Sequence, residues 1–173
     1  MSIKTKYVVL IFSLLFLVLQ CKKSKMKNKC CNEEPVVEHF DGGYLGIPTV
    51  FTPNGDGEND VLAIYHKGIE TFSLTIKNSV GTTIFETTDI DNYWDGQKDS
   101  KTQQGRFKLT IEAKSSNGLN ISKVIHICSY SSEPGETMKC PDNNANCAFP
   151  NQWSNADSTF QKNIASFESF DCD

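Results

Sequence analysis

The strongest constraint on this chain is a stretch in which apolar side chains fall on every second residue. Phe107, Leu109, Ile111 and Ala113 keep that period, Ser116-Asn117-Gly118 interrupts it, and Ile121, Ile125 and Ile127 resume it. A strand points successive side chains to opposite faces, so this pattern predicts two half-buried strands rather than a helix. Asn-Gly between them is a strong hairpin signal. Upstream, Thr49-Val50-Phe51, then Phe72, Leu74 and Ile76, then Thr83-Ile84-Phe85 repeat the period in shorter runs, with Val80-Gly81 turning the chain between the strands expected over 72–78 and 82–87. Short strands at regular spacing without intervening helices predict an all-β fold, an antiparallel immunoglobulin-like β-sandwich over residues 44–130.

The flanks read differently. In residues 1–20, Lys4 and Lys6 precede an apolar run from Tyr7 to Leu19 that stops at Gln20 and Cys21. This is the layout of a secretory signal. About 20 apolar residues are needed to cross a membrane, so the run is short for a permanent span. Val18-Leu19-Gln20-Cys21 resembles a bacterial lipobox, with Gln20 where Gly, Ala or Ser is usual. The resemblance implies cleavage before Cys21 and lipidation of its thiol, and several acyl chains on one residue anchor firmly. Residues 21–43 are expected to be a basic tether and linker, because they lack periodicity and end in Asp41-Gly42-Gly43.

Charge is segregated along the chain. The net charge is −4; loss of Lys4 and Lys6 makes it −6, and setting aside the five lysines from Lys22 to Lys29 leaves −11. The lysines beside Cys21 suit a membrane surface or a solvated tether. The acidic remainder argues against nucleic acid as a partner, which would need clustered Lys and Arg.

Residues 131–173 are expected to be an acidic, cysteine-containing tail that begins at Ser131-Ser132-Glu133-Pro134-Gly135. Phe160, Ile164 and Phe167 fall at helical spacing, with Asn155, Asp157 and Ser158 as possible caps, which predicts one short helix there. If Cys21 is acylated, Cys30, Cys31, Cys128, Cys140, Cys147 and Cys172 remain. An even set in an exported chain points to three disulfides, and six cysteines allow fifteen pairings among which sequence does not choose. A metal site of Cys140, Cys147 and Cys172 is the weaker reading, for want of C-x-x-C spacing and a nearby histidine.

One stretch carries an identification. Ile47-Pro48-Thr49-Val50-Phe51-Thr52-Pro53-Asn54-Gly55-Asp56-Gly57-Glu58-Asn59-Asp60, with Trp94-Asp95-Gly96 and Gly105-Arg106-Phe107 further on, resembles the gliding-motility-associated C-terminal domain of Bacteroidetes proteins. That resemblance implies a β-sandwich related to type IX secretion, in which Pro53, Gly55, Gly57, Asn59, Trp94, Asp95, Gly96 and Gly105 are structural. Physically, Pro53 fixes φ while Gly55 and Gly57 permit positive φ, so a tight loop is expected at 52–57. Trp94 is expected in the core, with Asp95-Gly96 turning the chain after it. Asn54, Asp56, Glu58 and Asp60 alternate oxygens as calcium loops do, which makes calcium the one metal worth testing. The pattern is not an EF-hand: Asn59 stands where that loop needs glycine, and Tyr65 where it needs a bidentate Glu.

No catalytic constellation is legible. His39, His66 and His126 are dispersed, no G-x-S-x-G or H-E-x-x-H occurs, and Asp89 and Asp91 before Trp94 read as a turn. Asp157-Ser158-Thr159 resembles a short O-glycosylation motif of the same bacterial group, with a helix cap as the simpler reading. The expectation is a non-enzymatic lipoprotein without cofactor, held to the periplasmic leaflet of the outer membrane through lipid on Cys21. It would serve as an interaction or accessory module with an envelope protein partner. The alternative is a type IX secretion cargo whose β-sandwich is a sorting domain.

Overall fold

The computed structural model describes residues 33–130, 138–139, 147–161 and 170–171. Cys21, Cys30, Cys31, Cys140, Cys172, Ile164 and Phe167 lie outside the described residues, as does the apolar run at 7–19. In chain order the strands are β1 (Val36–Phe40), β2 (Gly43–Ile47), β3 (Val50–Phe51), β4 (Tyr65–Lys67), β5 (Ile69–Lys77), β6 (Thr83–Thr87), β7 (Gln97–Lys98), β8 (Lys101–Thr102), β9 (Gly105–Ser115) and β10 (Asn120–Ser129). Four two-residue strands follow: β11 (Met138–Lys139), β12 (Trp153–Ser154), β13 (Thr159–Phe160) and β14 (Phe170–Asp171).

The fold is all-β, with two principal sheets. One has five strands in the order β3-β10-β9-β5-β6, the other three in the order β1-β2-β4. β9 and β10 are the long hairpin that the alternation predicts, in register from Asn120 opposite Lys114 to Ser129 opposite Gly105. Its tip closes where Gly118, at φ +90°, donates its N–H to the Ser115 carbonyl. β3 joins the far side of β10 in parallel, Val50 beside Cys128 and Phe51 beside Ser129.

Both sheets feed one hydrophobic cluster. Val36, Leu45 and Ile47 come from the three-stranded sheet, and Phe72, Leu74, Ile76, Phe107, Leu109, Ile111 and Ile127 from the five-stranded one. Leu62, Ile64 and Trp94, from the connections, complete it. Burial of each large side chain contributes roughly 1.5–3 kcal/mol, so this shared cluster is what holds the sheets together.

Two expectations are corrected. The stretch read as a linker supplies β1 and the start of β2, an antiparallel hairpin turned at Asp41-Gly42, because Val36 is buried in the shared core and Phe40 packs against it. The start of the predicted helix is instead a second hairpin. Trp153 pairs with Phe160 and Ser154 with Thr159, and Asn155–Ser158 make the turn between them, with Ser158 at φ +51°. A helix starting at Asn155 would leave the Trp153 and Phe160 rings unable to meet, whereas here they lie edge to face at 5.0 Å.

Candidate functional site

The glycine-rich loop after β3 is organised by a single carboxylate. Asp60 Oδ1 accepts the N–H groups of Asn54 (3.0 Å) and Gly55 (2.6 Å), and Oδ2 accepts that of Gly57 (2.8 Å). Gly55 and Gly57 hold φ of +81° and +94°, which aims their N–H groups inward at little steric cost. Asn54 and Asp56 lock each other: Asn54 Nδ2 donates to Asp56 Oδ2, and the N–H of Asp56 donates back to Asn54 Oδ1. Asp56 Oδ1 accepts the N–H of Glu58 at 2.8 Å. The neck is closed by the Thr52 N–H on the Asn59 carbonyl.

The alternating oxygens that suggest calcium are therefore turned on the loop's own backbone. Asn54, Asp56 and Asp60 each accept at least one N–H, and Glu58 is exposed. Among the described residues, no group of three or more His, Cys, Asp or Glu side chains is placed to hold a metal.

Trp94-Asp95-Gly96 lies against this loop. Trp94 is completely buried, with its ring 5.2 Å from Phe51 and 5.0 Å from Phe107, the latter edge to face. Its indole N–H donates to the Gln97 carbonyl at 3.0 Å, which satisfies the one polar atom the ring carries. Asp95 Oδ1 accepts the Gln97 N–H and so makes the turn. Gly96, at φ +75°, sits over the Pro53 ring, where an added Cβ would come within 2.5 Å of Pro53 Cγ. Gly105, at φ +114°, opens β9 opposite Ser129. The motif residues, spread over fifty positions of sequence, thus meet at one end of the five-stranded sheet.

Residues 45–127 match the family model described as the CHU_C type IX secretion signal domain. This segment belongs to that family. The match lies within the 44–130 span expected for the domain and agrees with the family that its motifs resemble. No curated protein matches the chain. The description ties the chain to type IX secretion, and so to the cell envelope or the secreted compartment.

The CHU_C domain is held from both sides by residues beyond its matched span. On the N-terminal side, Glu33 forms an ion pair with Arg106 of β9. It also accepts from His126 of β10 twice, from the main-chain N–H at 2.6 Å and from ring Nδ1 at 2.7 Å. Burial pushes the Glu33 carboxyl up, but the His126 N–H, the Arg106 hydrogen bond and the charge and ring of His126 together outweigh it, and the net shift is down. Lys123 pairs with Glu38 of β1 nearby.

On the C-terminal side, Ala148 accepts the N–H groups of Thr49 (2.9 Å) and Val50 (3.2 Å), and donates its own to Thr49 Oγ1. It thereby covers the edge of β3 that β10 leaves open. Asn151 N–H donates to Asn59 Oδ1, which fixes the tail to the glycine loop. Trp153 then lies on the three-stranded sheet: its ring stacks on Tyr65 at 4.7 Å and 7°, and a Cβ on Gly46 would meet it at 2.2 Å. Tyr65 donates to the Pro150 carbonyl at 2.6 Å. Burial, and then the neighbouring Tyr93, push the Tyr65 hydroxyl up to about 12, so it stays a neutral donor.

Cys128 and Cys147 are buried in one small cluster with Val50 and Phe149, and each is disulfide-bonded. The three histidines have separate partners: His39 Nε2 on the Ser158 carbonyl, His66 Nε2 on Asp91, and His126 on Glu33. Asp91 N–H donates to Asp89 Oδ1, so that pair makes a turn. Sequence reasoning passed over Glu33, Ala148 and Trp153. Glu33 is one of several charges in a polar run, and no local pattern marks the other two as contacts.

Proposed function

We propose that this chain is a lipoprotein anchored through Cys21 whose CHU_C domain, of immunoglobulin-like form, is a non-catalytic recognition module for a protein of the type IX secretion apparatus. The observation that carries the reading is the double attachment of the domain. Glu33 holds the tether to β9 and β10, and residues 147–161 complete the β3 edge and cover Gly46. A module built into both flanks suits the body of a protein better than a detachable address. The lysines after Cys21 fit a stretch that lies on anionic headgroups beside the lipid anchor.

The second reading, a sorting domain of a secreted cargo, is favoured by the description of the family itself. The two are separated by protease shaving and fractionation of cells that produce the full chain, its Cys21→Ala variant and a chain lacking residues 45–127. The recognition reading expects envelope retention that depends on Cys21 and labelled fatty acid that disappears in Cys21→Ala. A cargo expects release from the periplasm that depends on 45–127.

A further inference from the structure

We infer that one corner of the five-stranded sheet, built on Lys77, Lys108 and Val80, is a docking surface that lies on anionic phospholipid headgroups. The inference rests on the proposed lipid anchor, which brings this corner to a bilayer.

Three observations converge there. First, Lys77, at the end of β5, stands directly opposite Lys108 of β9, and both are exposed on the outer face of the sheet. Like charges directly opposite each other destabilise a sheet. Among the described residues neither lysine forms an ion pair, whereas Lys114, on the same face at the other end, pairs with Glu70. Arg106, two residues before Lys108, adds a third cation, offset by Glu33. Glu86, opposite Thr75, stands one row further along the face. In a chain of net charge −4, the corner keeps a local surplus of positive charge for an anion from outside.

Second, the turn between β5 and β6 projects beyond Lys77 and presents Val80, which at 83 % is the most exposed large hydrophobic among the described residues. The turn is tightly tied. Asn78 Oδ1 accepts the N–H groups of Val80 (3.2 Å) and Thr82 (2.9 Å), and the Asn78 carbonyl accepts that of Gly81. A single exposed valine is ordinary. One held at a turn tip beside unpaired cations has the composition of a bilayer-interface surface, where apolar side chains enter between headgroups and lysines meet phosphates.

Third, the chain that leads back to Cys21 leaves the domain at this corner. Glu33, the first described residue, is bound to Arg106 and His126, and His126 faces Lys108 across the β9–β10 pair. His126, Lys108 and Lys77 thus form one row across two strand spacings, about 10 Å. A lipid-held chain presents to the bilayer the corner from which its tether departs. An acidic protein partner would meet the same cations, but would give neither Val80 nor the tether a part. The acidic glycine loop follows β3 at the opposite edge, with Asp56 and Asp60 turned on its own backbone.

The test is lysine footprinting of the full-length protein reconstituted into phosphatidylcholine vesicles with and without phosphatidylglycerol. Lysines are acylated with a membrane-impermeant reagent, and the rate at each is read by peptide mass spectrometry. A lysine at an anionic surface gains roughly a fivefold preference for it, so Lys77 and Lys108 should label about fivefold more slowly on phosphatidylglycerol vesicles. Lys67 and Lys114, at the end of the sheets where Ser116 N–H meets the Gly68 carbonyl, should keep their rates. Unchanged rates at Lys77 and Lys108, or equal slowing at all four lysines, would overturn the docking. Slowing in isolated envelopes but on neither vesicle assigns the corner to a protein partner and overturns it too. In Val80→Asp, which alters one exposed side chain, the slowing should be lost; full slowing there contradicts the role of the tip. The mass of the N-terminal peptide reads the anchor separately. If Cys21 carries no lipid, the anchor reading fails, and the full chain added to the same vesicles from solution still decides the docking by the same four rates.

Discussion

Gly96 lies directly on the ring of Pro53, so close that a Cβ at Gly96 would stand 2.5 Å from Pro53 Cγ and 2.7 Å from Cβ. The contact joins the two halves of the family motif. It is made possible by a backbone at φ +75°, which an L side chain rarely adopts.

Gly96→Ala is therefore expected to be among the most damaging small substitutions in the domain. Positive φ costs an alanine about 1–2 kcal/mol, and overlap with a buried proline adds about 1–3 kcal/mol. Gly81→Ala, at a similar φ but with nothing near its Cβ, should lose only the first part. Urea unfolding of the two variants checks this; equal losses would show that the Pro53 contact is unimportant.

Asp60→Ala should unlock the glycine loop, since three N–H groups lose a charged acceptor. Water replaces part of that interaction, and the expected loss is about 1–3 kcal/mol. Asp56→Ala should cost less, because it serves one N–H and one amide. Amide exchange at Asn54, Gly55 and Gly57 should quicken in Asp60→Ala alone. If calcium added to the wild type protects these amides further, the loop has a second use.

How much of this was legible in the sequence depended on where the deciding partner lay. The alternation from Phe107 to Ile127 announces its own hairpin, because each residue's face follows from its neighbours two positions away. The Asp41-Gly42 turn carried a comparable hairpin signal, but Glu38 and His39 between Val37 and Phe40 obscured the strand before it. The role of Asp60 is legible in part, because the N–H groups of a glycine loop need an acceptor, but its spacing fits a calcium loop equally well. Trp153 offered no such clue. Its partners Gly46 and Tyr65 are about ninety or more residues away, and only the folded chain brings them together.

The Glu33 clasp should be sensitive to acid. A carboxyl held below its ordinary pKa contributes stability that is present above the unfolded value and lost as pH falls through the lowered one. The stability gap between wild type and Glu33→Gln is thus expected to be full at neutral pH and to close on acidification. Protease sensitivity of the tether should rise over the same range. A gap independent of pH would place the contribution elsewhere.

Tyr65 gives the opposite dependence. Its hydroxyl is raised from 10.0 to about 12, so its contribution is intact below the unfolded value and fades as pH rises from there through the folded one. Tyr65→Phe should lose about 1 kcal/mol with the bond to Pro150 and flatten this alkaline decline. Tyr130, also raised to about 12 by burial, should leave a residual decline. Ultraviolet titration of tyrosinate alongside the unfolding curves measures both.

A lipid-held CHU_C module that recognises a type IX secretion protein should carry that partner through one quantitative pull-down. The tagged full chain is recovered from envelopes opened with mild detergent and compared with a chain that keeps the Cys21 anchor but lacks residues 45–127. At least one type IX secretion component should be enriched with the full chain and absent from the deleted one. Equal recovery of every envelope protein by the two would contradict it.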